Sequence, residues 1–303
     1  MSFHIITIES PTAYLNYEHG QFICTTAEGT RQLPLADIAA IIVCCFSAKI
    51  EMRLLTEAAK AGIGMILCEA FKPECIILPA QRSTDSLLTR AWQKAPKKFL
   101  DEAWQKTLDA KCHNQCVLAG AWLPNSPAVA KMEREKFLRY RAREGTVSRL
   151  FWSVFRAKLN REDFLRSRGK DLVNSFLDYG YSVLLARVLQ LCFACGIDPT
   201  FGIGHVCSER STALAYDLME PFRPLVDAKV FSWIESGERT ELDRAFKQHL
   251  LPFLQEKIVY QGTSQQTQTV IEKSILSFRA CLLEKDLDCY EPWMATNSKW
   301  VGC

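Results

Sequence analysis

The imidazole of His205 and the carboxylates of Asp217 and Glu220 fall within sixteen residues of this chain. His205 closes Gly202-Ile-Gly-His205, and Asp217 and Glu220 lie in Asp217-Leu-Met-Glu220-Pro-Phe-Arg-Pro-Leu-Val-Asp227. Asp217 and Glu220 are three apart, so a helix puts them on one face. Imidazole and oxygen donors without a thiolate suit a hard divalent cation, Mg²⁺ or Mn²⁺. Arg223, three residues past Glu220, is placed to hold a phosphate beside that cation. Such a set cleaves a phosphodiester or transfers a strand. On one straight helix His205 and Glu220 would lie about 22 Å apart. His205 must therefore sit on a loop that folds back, with Ser208-Glu-Arg-Ser211 as the turn and Ser211 as the N-cap of the next helix. The plain alternative is a loop histidine and two acids on a solvated helix face.

A third carboxylate comes from Glu144 in Arg141-Ala-Arg143-Glu144-Gly145-Thr-Val-Ser-Arg149. Arg134, Arg141, Arg149 and Arg156 recur every seven or eight residues, which lines them along one helix face with Glu144 at its edge. A carboxylate beside a phosphate-binding stripe makes sense with a cation between acid and phosphate; an intrahelical Arg–Glu pair is the simpler reading. Further on, Arg168 and Lys170 could contact phosphate, and Asn174 could bond a backbone group. Gly180 would admit a close helix neighbour between Tyr179 and Tyr181. Cys192-Phe-Ala-Cys195 has CxxC spacing in an apolar helix with no second pair, and His113 between Cys112 and Cys116 has no partner cluster. Signatures of serine hydrolases, P-loop NTPases and dinucleotide-binding folds are missing.

The elements that must position these groups fall into two parts. Residues 1–85 read as a β-rich, sandwich-like domain with one helix. Strands are expected at Phe3–Ile8, Tyr14–Tyr17, Gln21–Thr25, Ile38–Cys44, Ile63–Cys68 and Ile76–Pro79, and the helix at Glu51–Ala61. Residues 86–303 read as a larger, all-α catalytic and DNA-binding domain. Its helices are expected at 86–94, 97–120, 126–159, 170–195, 211–220, 226–236, 239–255 and 270–285. Gly262-Thr-Ser-Gln-Gln-Thr-Gln268 reads as a polar loop, and the tail after Asp286 is open between a loose end and one that docks on a partner. The fold class is α+β.

The 303 residues are 48% hydrophobic and 23% charged, the balance of a globular protein. No apolar run reaches bilayer length, no membrane partner is expected, and no secretion signal opens the chain. Thirteen scattered cysteines point to a reducing, cytoplasmic setting. The net charge of +3 conceals net −3 over residues 1–85, +11 over 86–170 and −5 over 171–303. A basic middle segment favours a polyanion through counterion release, although solvated helix faces would give the same charge.

Glu144-Gly in a basic helix, Asn174-x-x-Leu-x-Tyr-Gly-Tyr181, and His205 followed by Asp217-Leu-Met-Glu-Pro-Phe-Arg-Pro together resemble the CRISPR-associated spacer-acquisition integrase, the near-universal CRISPR adaptation protein. The resemblance runs over essentially the whole chain. Its Asp217–Asp227 wording is most similar to members from systems with a single large effector nuclease. The resemblance implies a homodimer, formed through the β-rich part, that joins a small ferredoxin-like partner. It implies binding of a DNA duplex with 3′ overhangs and attack of each 3′-hydroxyl on CRISPR repeat DNA. It assigns Glu144, His205 and Glu220 as metal ligands, with Asp217 a second acid near the metal. One departure is Gly204, where a larger residue is common. Two other readings remain: a metal-dependent nuclease acting on branched or single-stranded DNA, and a DNA-binding scaffold without catalysis.

Overall fold

Two four-stranded sheets form the first part of the chain, and a computed structural model describes them within residues 4–45, 47–69, 72–79, 83–135, 142–166, 171–205, 212–237 and 242–296. One sheet has the order β1-β5-β7-β8, from β1 (His4–Ile8), β5 (Ile38–Val43), β7 (Gly64–Glu69) and β8 (Lys72–Ile77). The other has the order β4-β3-β2-β6, from β2 (Thr12–Glu18), β3 (Gln21–Thr26), β4 (Gly29–Pro34) and β6 (Ser47–Ile50). Helix α1 (Met52–Lys60) connects β6 to β7. Leu15 and Phe22 from one sheet, Ile41 and Met65 from the other, and Leu54 from α1 share one core. Each such side chain contributes about 1.5–3 kcal/mol on burial. His19 and Gly20 both take positive φ, 47° and 82°, and close the β2–β3 hairpin as a two-residue turn. Two strands escape sequence reading. β4 is almost entirely exposed and carries no apolar alternation, and β6 is only four residues long.

The first sheet is covered on its other face too. Ala40, Ile42 and Ile66 meet Phe193 and Ala194, which belong to α6 (Leu172–Ala194). This double burial explains the unbroken apolar run Ile-Ala-Ala-Ile-Ile-Val of β5.

The second part holds α2 (Ser83–Lys94), α3 (Lys97–Trp122), α4 (Pro127–Glu135), α5 (Ala142–Leu159), α6, α7 (Ala213–Met219), α8 (Arg223–Glu235), α9 (Arg244–Leu250) and α10 (Thr267–Glu284). Three expectations need correction. Residues 126–159 are not one straight helix: α4 packs along α5, which a continuous helix could not do. The part is not all-α, because β9 (Lys257–Tyr260) and β10 (Thr263–Gln266) form a hairpin where a loop was expected. Gln261 and Gly262 both take positive φ at its turn, the geometry that suits a tight hairpin. Finally, α6 is long and apolar enough to cross a membrane by length and composition, although 67% of its apolar window is buried inside this fold. It is the central core helix. Gly180 lets it approach α8: a Cβ there would come within 2.4 Å of Val226 Cγ1. Gly196 ends it at φ 71°, with Ile197 N–H donating to Cys192 O.

The described part of the tail, through residue 296, packs against its own chain. Tyr290 and Trp293 are buried, and the Trp293 indole N–H donates to Val259 O. The eleven described cysteines are free thiols, and His113 Nε2 lies 2.7 Å from the Ala295 carbonyl oxygen.

Candidate metal centre

His205 does lie on a loop that folds back, and Asp217 holds it there. Asp217 is 0% exposed. Its Oδ2 accepts from the Ile203 and Gly204 amides at 2.6 and 2.9 Å, and its Oδ1 from the His205 amide at 3.0 Å. The same Oδ1 meets His205 Nδ1 at 2.5 Å. Three backbone donors and one imidazole therefore surround one carboxylate near the C-terminal end of α7. The hydrogen bond to Asp217, opposed by partial burial, pushes the His205 pKa up. With Nδ1 engaged, Nε2 is the nitrogen a metal would take. Both loop glycines are required by close approach. A Cβ on Gly202 would come 2.4 Å from His205 O, and one on Gly204 would come 2.2 Å from Trp104 Cε2. Gly204 thus answers to the Trp104 ring, whose centroid is 5.7 Å from that of His205. The proposed turn at 208–211, with Ser211, lies outside the described residues.

Glu220 opens a 3-10 turn, Glu220–Phe222, that Pro221 imposes between α7 and α8. Its carboxylate is 3% exposed and meets two cations. Arg223 donates to Oε1 at 2.8 Å, and Lys111 Nζ stands 2.7 Å from Oε2. Lys111 also donates to Glu144 Oε1 at 2.6 Å. Glu144, on the first turn of α5, is therefore joined to Glu220 through one ammonium, across 76 residues of sequence. Burial alone would raise the Glu220 pKa; the Lys111 and Arg223 charges outweigh it and hold the carboxyl at about 2. Burial acts against the Lys111 ammonium, but Glu220 and Glu144 raise its pKa on balance. Glu220 Oε2, despite its ion pair, is buried without a well-directed hydrogen bond.

The surroundings fix this cluster. Asn114 on α3 donates to the Pro221 and Trp293 carbonyls and accepts from the Ala295 amide. Phe222 stacks on Trp293 with centroids 5.7 Å apart. Arg223 lies over the Tyr181 ring, 4.2 Å from its centroid, and the Tyr181 hydroxyl donates to Asp227. Burial pushes the Asp227 carboxyl up to about 6, against the Tyr181 hydroxyl and Arg223. Asn174 bonds a backbone group as expected, the Leu165 carbonyl, and accepts from Arg166.

Sequence reasoning missed Lys111 and Asn114. Their signal is faint: Thr107, Lys111, Asn114 and Gln115 are polar at helical spacing on a face of α3 that is otherwise apolar and buried. The arginine stripe needs correction, because Arg134 is on α4 while Arg149 and Arg156 are on α5. Arg134 and Arg149 are exposed and Arg156 is half-buried. Arg141, Arg168 and Lys170 lie outside the described residues. Arg223 donates through one guanidinium nitrogen to Glu220 and lies over the Tyr181 ring.

Among the described residues, no three His, Cys, Asp or Glu side chains already stand close enough to hold an ion. The donor set nevertheless suits one. Two carboxylates converge on a single cationic point, one buried oxygen there lacks a directed hydrogen bond, and Glu220 is near enough to His205 to raise its basicity.

Comparison with known proteins bears on the whole arrangement. The sequence profile of the family described as "CRISPR associated protein Cas1" matches residues 6–254. The CRISPR-associated endonuclease Cas1 of Neisseria meningitidis serogroup C is 28% identical over 281 residues, which cover 90% of this chain and 90% of that protein. Among solved structures, a casposase bound to its integration product superposes with a TM-score of 0.72 at 22% identity, covering 96% of this chain and 99% of that one. A chain of a partial Cas6-RT-Cas1–Cas2 complex gives a TM-score of 0.72 at 15% identity, covering 97% and 99%. These two likenesses establish a shared fold.

Proposed function

The chain belongs to the Cas1 family of CRISPR-associated endonucleases, and from that premise we propose that it joins the 3′-hydroxyl ends of short DNA duplexes into CRISPR repeat DNA by transesterification. One observation carries the reading: Glu144 and Glu220, far apart in sequence, converge on one cationic point beside His205. The ligands would be Glu144, Glu220 and His205 Nε2, for Mg²⁺ or Mn²⁺. A divalent cation there would neutralise charge building on the phosphate oxygens and lower the pKa of an attacking hydroxyl.

The chain's own residues do the rest. Asp217 fixes the imidazole of His205 through Nδ1 and clamps the loop that carries it, so it acts by positioning and not as a ligand. Arg223 keeps Glu220 ionised and oriented. Exposed Arg134 and Arg149, with Arg156, would hold duplex phosphates and read little sequence. The expected assembly is a homodimer with a small partner, and the Cas6-RT-Cas1–Cas2 complex that shares this fold points to a Cas2-type protein as that partner. A host system with a single large effector nuclease is also part of the proposal, resting on the Asp217–Asp227 wording.

The test supplies a labelled duplex with free 3′ ends, a repeat-bearing supercoiled plasmid and Mg²⁺ or Mn²⁺, with and without the small partner. Label joined to plasmid is the expected result. Cutting without joining would make water the nucleophile and the protein a nuclease. Binding with neither product would reduce it to a scaffold.

A further inference from the structure

We propose that Lys111 occupies the ion site of the metal-free protein, and that a divalent cation binds by displacing its ammonium group. The inference rests on reading Glu144 and Glu220 as metal ligands. Lys111 Nζ is 2.6 Å from Glu144 Oε1 and 2.7 Å from Glu220 Oε2. Magnesium–oxygen distances are about 2.0–2.1 Å, so an ion bridging those two oxygens would sit within roughly an ångström or two of the position Nζ holds. Two cationic centres cannot share that space. The Lys111 side chain is only 11% exposed, so its ammonium is not a solvated charge that happens to pass by.

Charge arithmetic agrees. Glu144 and Glu220 are matched by Lys111 and Arg223 in this state, so the cluster is neutral without a metal. A divalent ion in place of Lys111 leaves a surplus of one positive charge, which an incoming phosphodiester matches. The two basic residues differ in what holds them. Arg223 is fixed by Glu220 below a stacked Tyr181 ring. Lys111 is held by the two carboxylates at the end of a flexible four-carbon stem and can swing away. Glu220 Oε2 meets it as an ion pair without a well-directed hydrogen bond, which is the weaker attachment of the two. Lysine is therefore the exchangeable cation that bridges the two acids until a metal arrives.

Mn²⁺ binding to the full chain, measured by calorimetry or by loss of the free-ion EPR signal, tests this. Lys111→Met removes the competitor and keeps the stem, and is expected to lower the Mn²⁺ Kd at least tenfold. Glu220→Ala is expected to abolish that binding. An unchanged or weaker Mn²⁺ affinity in Lys111→Met, with Glu220→Ala still abolishing binding, overturns the displaced lysine and leaves the metal site standing. Mn²⁺ binding that Glu220→Ala does not affect overturns the site itself. Should Lys111→Met fail to fold, reductive methylation of wild-type protein reads the same exchange by mass spectrometry. Labelling of Lys111 should rise severalfold on saturation with Mg²⁺, and unchanged labelling contradicts the proposal.

Discussion

Asp217 and Glu220 are one helical turn apart and almost equally buried, yet the chain satisfies them by opposite means. Around Asp217, backbone amides of Ile203, Gly204 and His205 supply the hydrogen bonds. Around Glu220, the partners are two long cationic side chains, Lys111 and Arg223. Backbone donors are fixed by the fold and cannot leave; the Lys111 ammonium, at the end of a flexible stem, can. On the proposed reading the first carboxylate is part of the scaffold and the second is a metal ligand. Residue type and spacing alone do not separate the two roles. What does is whether the partner belongs to the main chain.

That contrast sets the order of expected effects. Glu220→Gln should reduce DNA joining by about a thousandfold while leaving duplex affinity within a few fold, measured by gel-based strand transfer and by fluorescence anisotropy. Asp217→Asn should act mainly on structure. It disturbs a buried acceptor of three amides and an imidazole, which costs about 3 kcal/mol in chemical denaturation. A larger stability loss in Glu220→Gln than in Asp217→Asn would break the distinction between scaffold and site. Gly204→Ala drives a Cβ into the Trp104 ring and should cost about 1–3 kcal/mol, with a change in tryptophan fluorescence as the local reporter.

Asp227 gives a third case, a buried carboxylate met by the Tyr181 hydroxyl. Its folded pKa of about 6 lies above the ordinary value, near 3.9 in an unfolded chain. The folded state therefore binds that proton more tightly. The associated stability is complete below about pH 3.9 and lost as pH rises through 6. Between pH 7 and 5 it contributes about 1.4 kcal/mol. Asp227→Asn should remove that share of the pH dependence, and urea titrations at the two pH values read it. The smallest effect belongs to the exposed surface. Arg149→Ala should weaken duplex binding uniformly across sequences and reduce the salt slope by about 1. An unchanged slope would place this side chain away from the duplex.

How much of this was legible in the sequence follows from what each feature depends on. His205, Asp217 and Glu220 share a short stretch, and a straight helix would hold His205 and Glu220 about 22 Å apart, so the His205 loop had to fold back. The β-rich start and most helices follow from apolar periodicity and their glycine and proline boundaries. Lys111 was not legible, because a lysine in a segment of net charge +11 looks solvated until its buried partners are known. The separateness of α4 and α5 was invisible for another reason: the sequence between them holds no glycine or proline. The β9–β10 hairpin was hidden by its composition, since Thr-Ser-Gln-Gln carries no apolar alternation and only the Gln261–Gly262 turn marks it. Docking of the tail depends on Trp293 meeting Phe222 and Val259, a tertiary fact with no local signature.

Anomalous diffraction from crystals of the full chain grown with Mn²⁺ addresses the shared ion most directly. A peak about 2.0–2.2 Å from a Glu144 oxygen, a Glu220 oxygen and His205 Nε2 is the expected result. A manganese peak bound elsewhere, with the Glu144–Lys111–Glu220 bridge still intact beneath saturating metal, would contradict it.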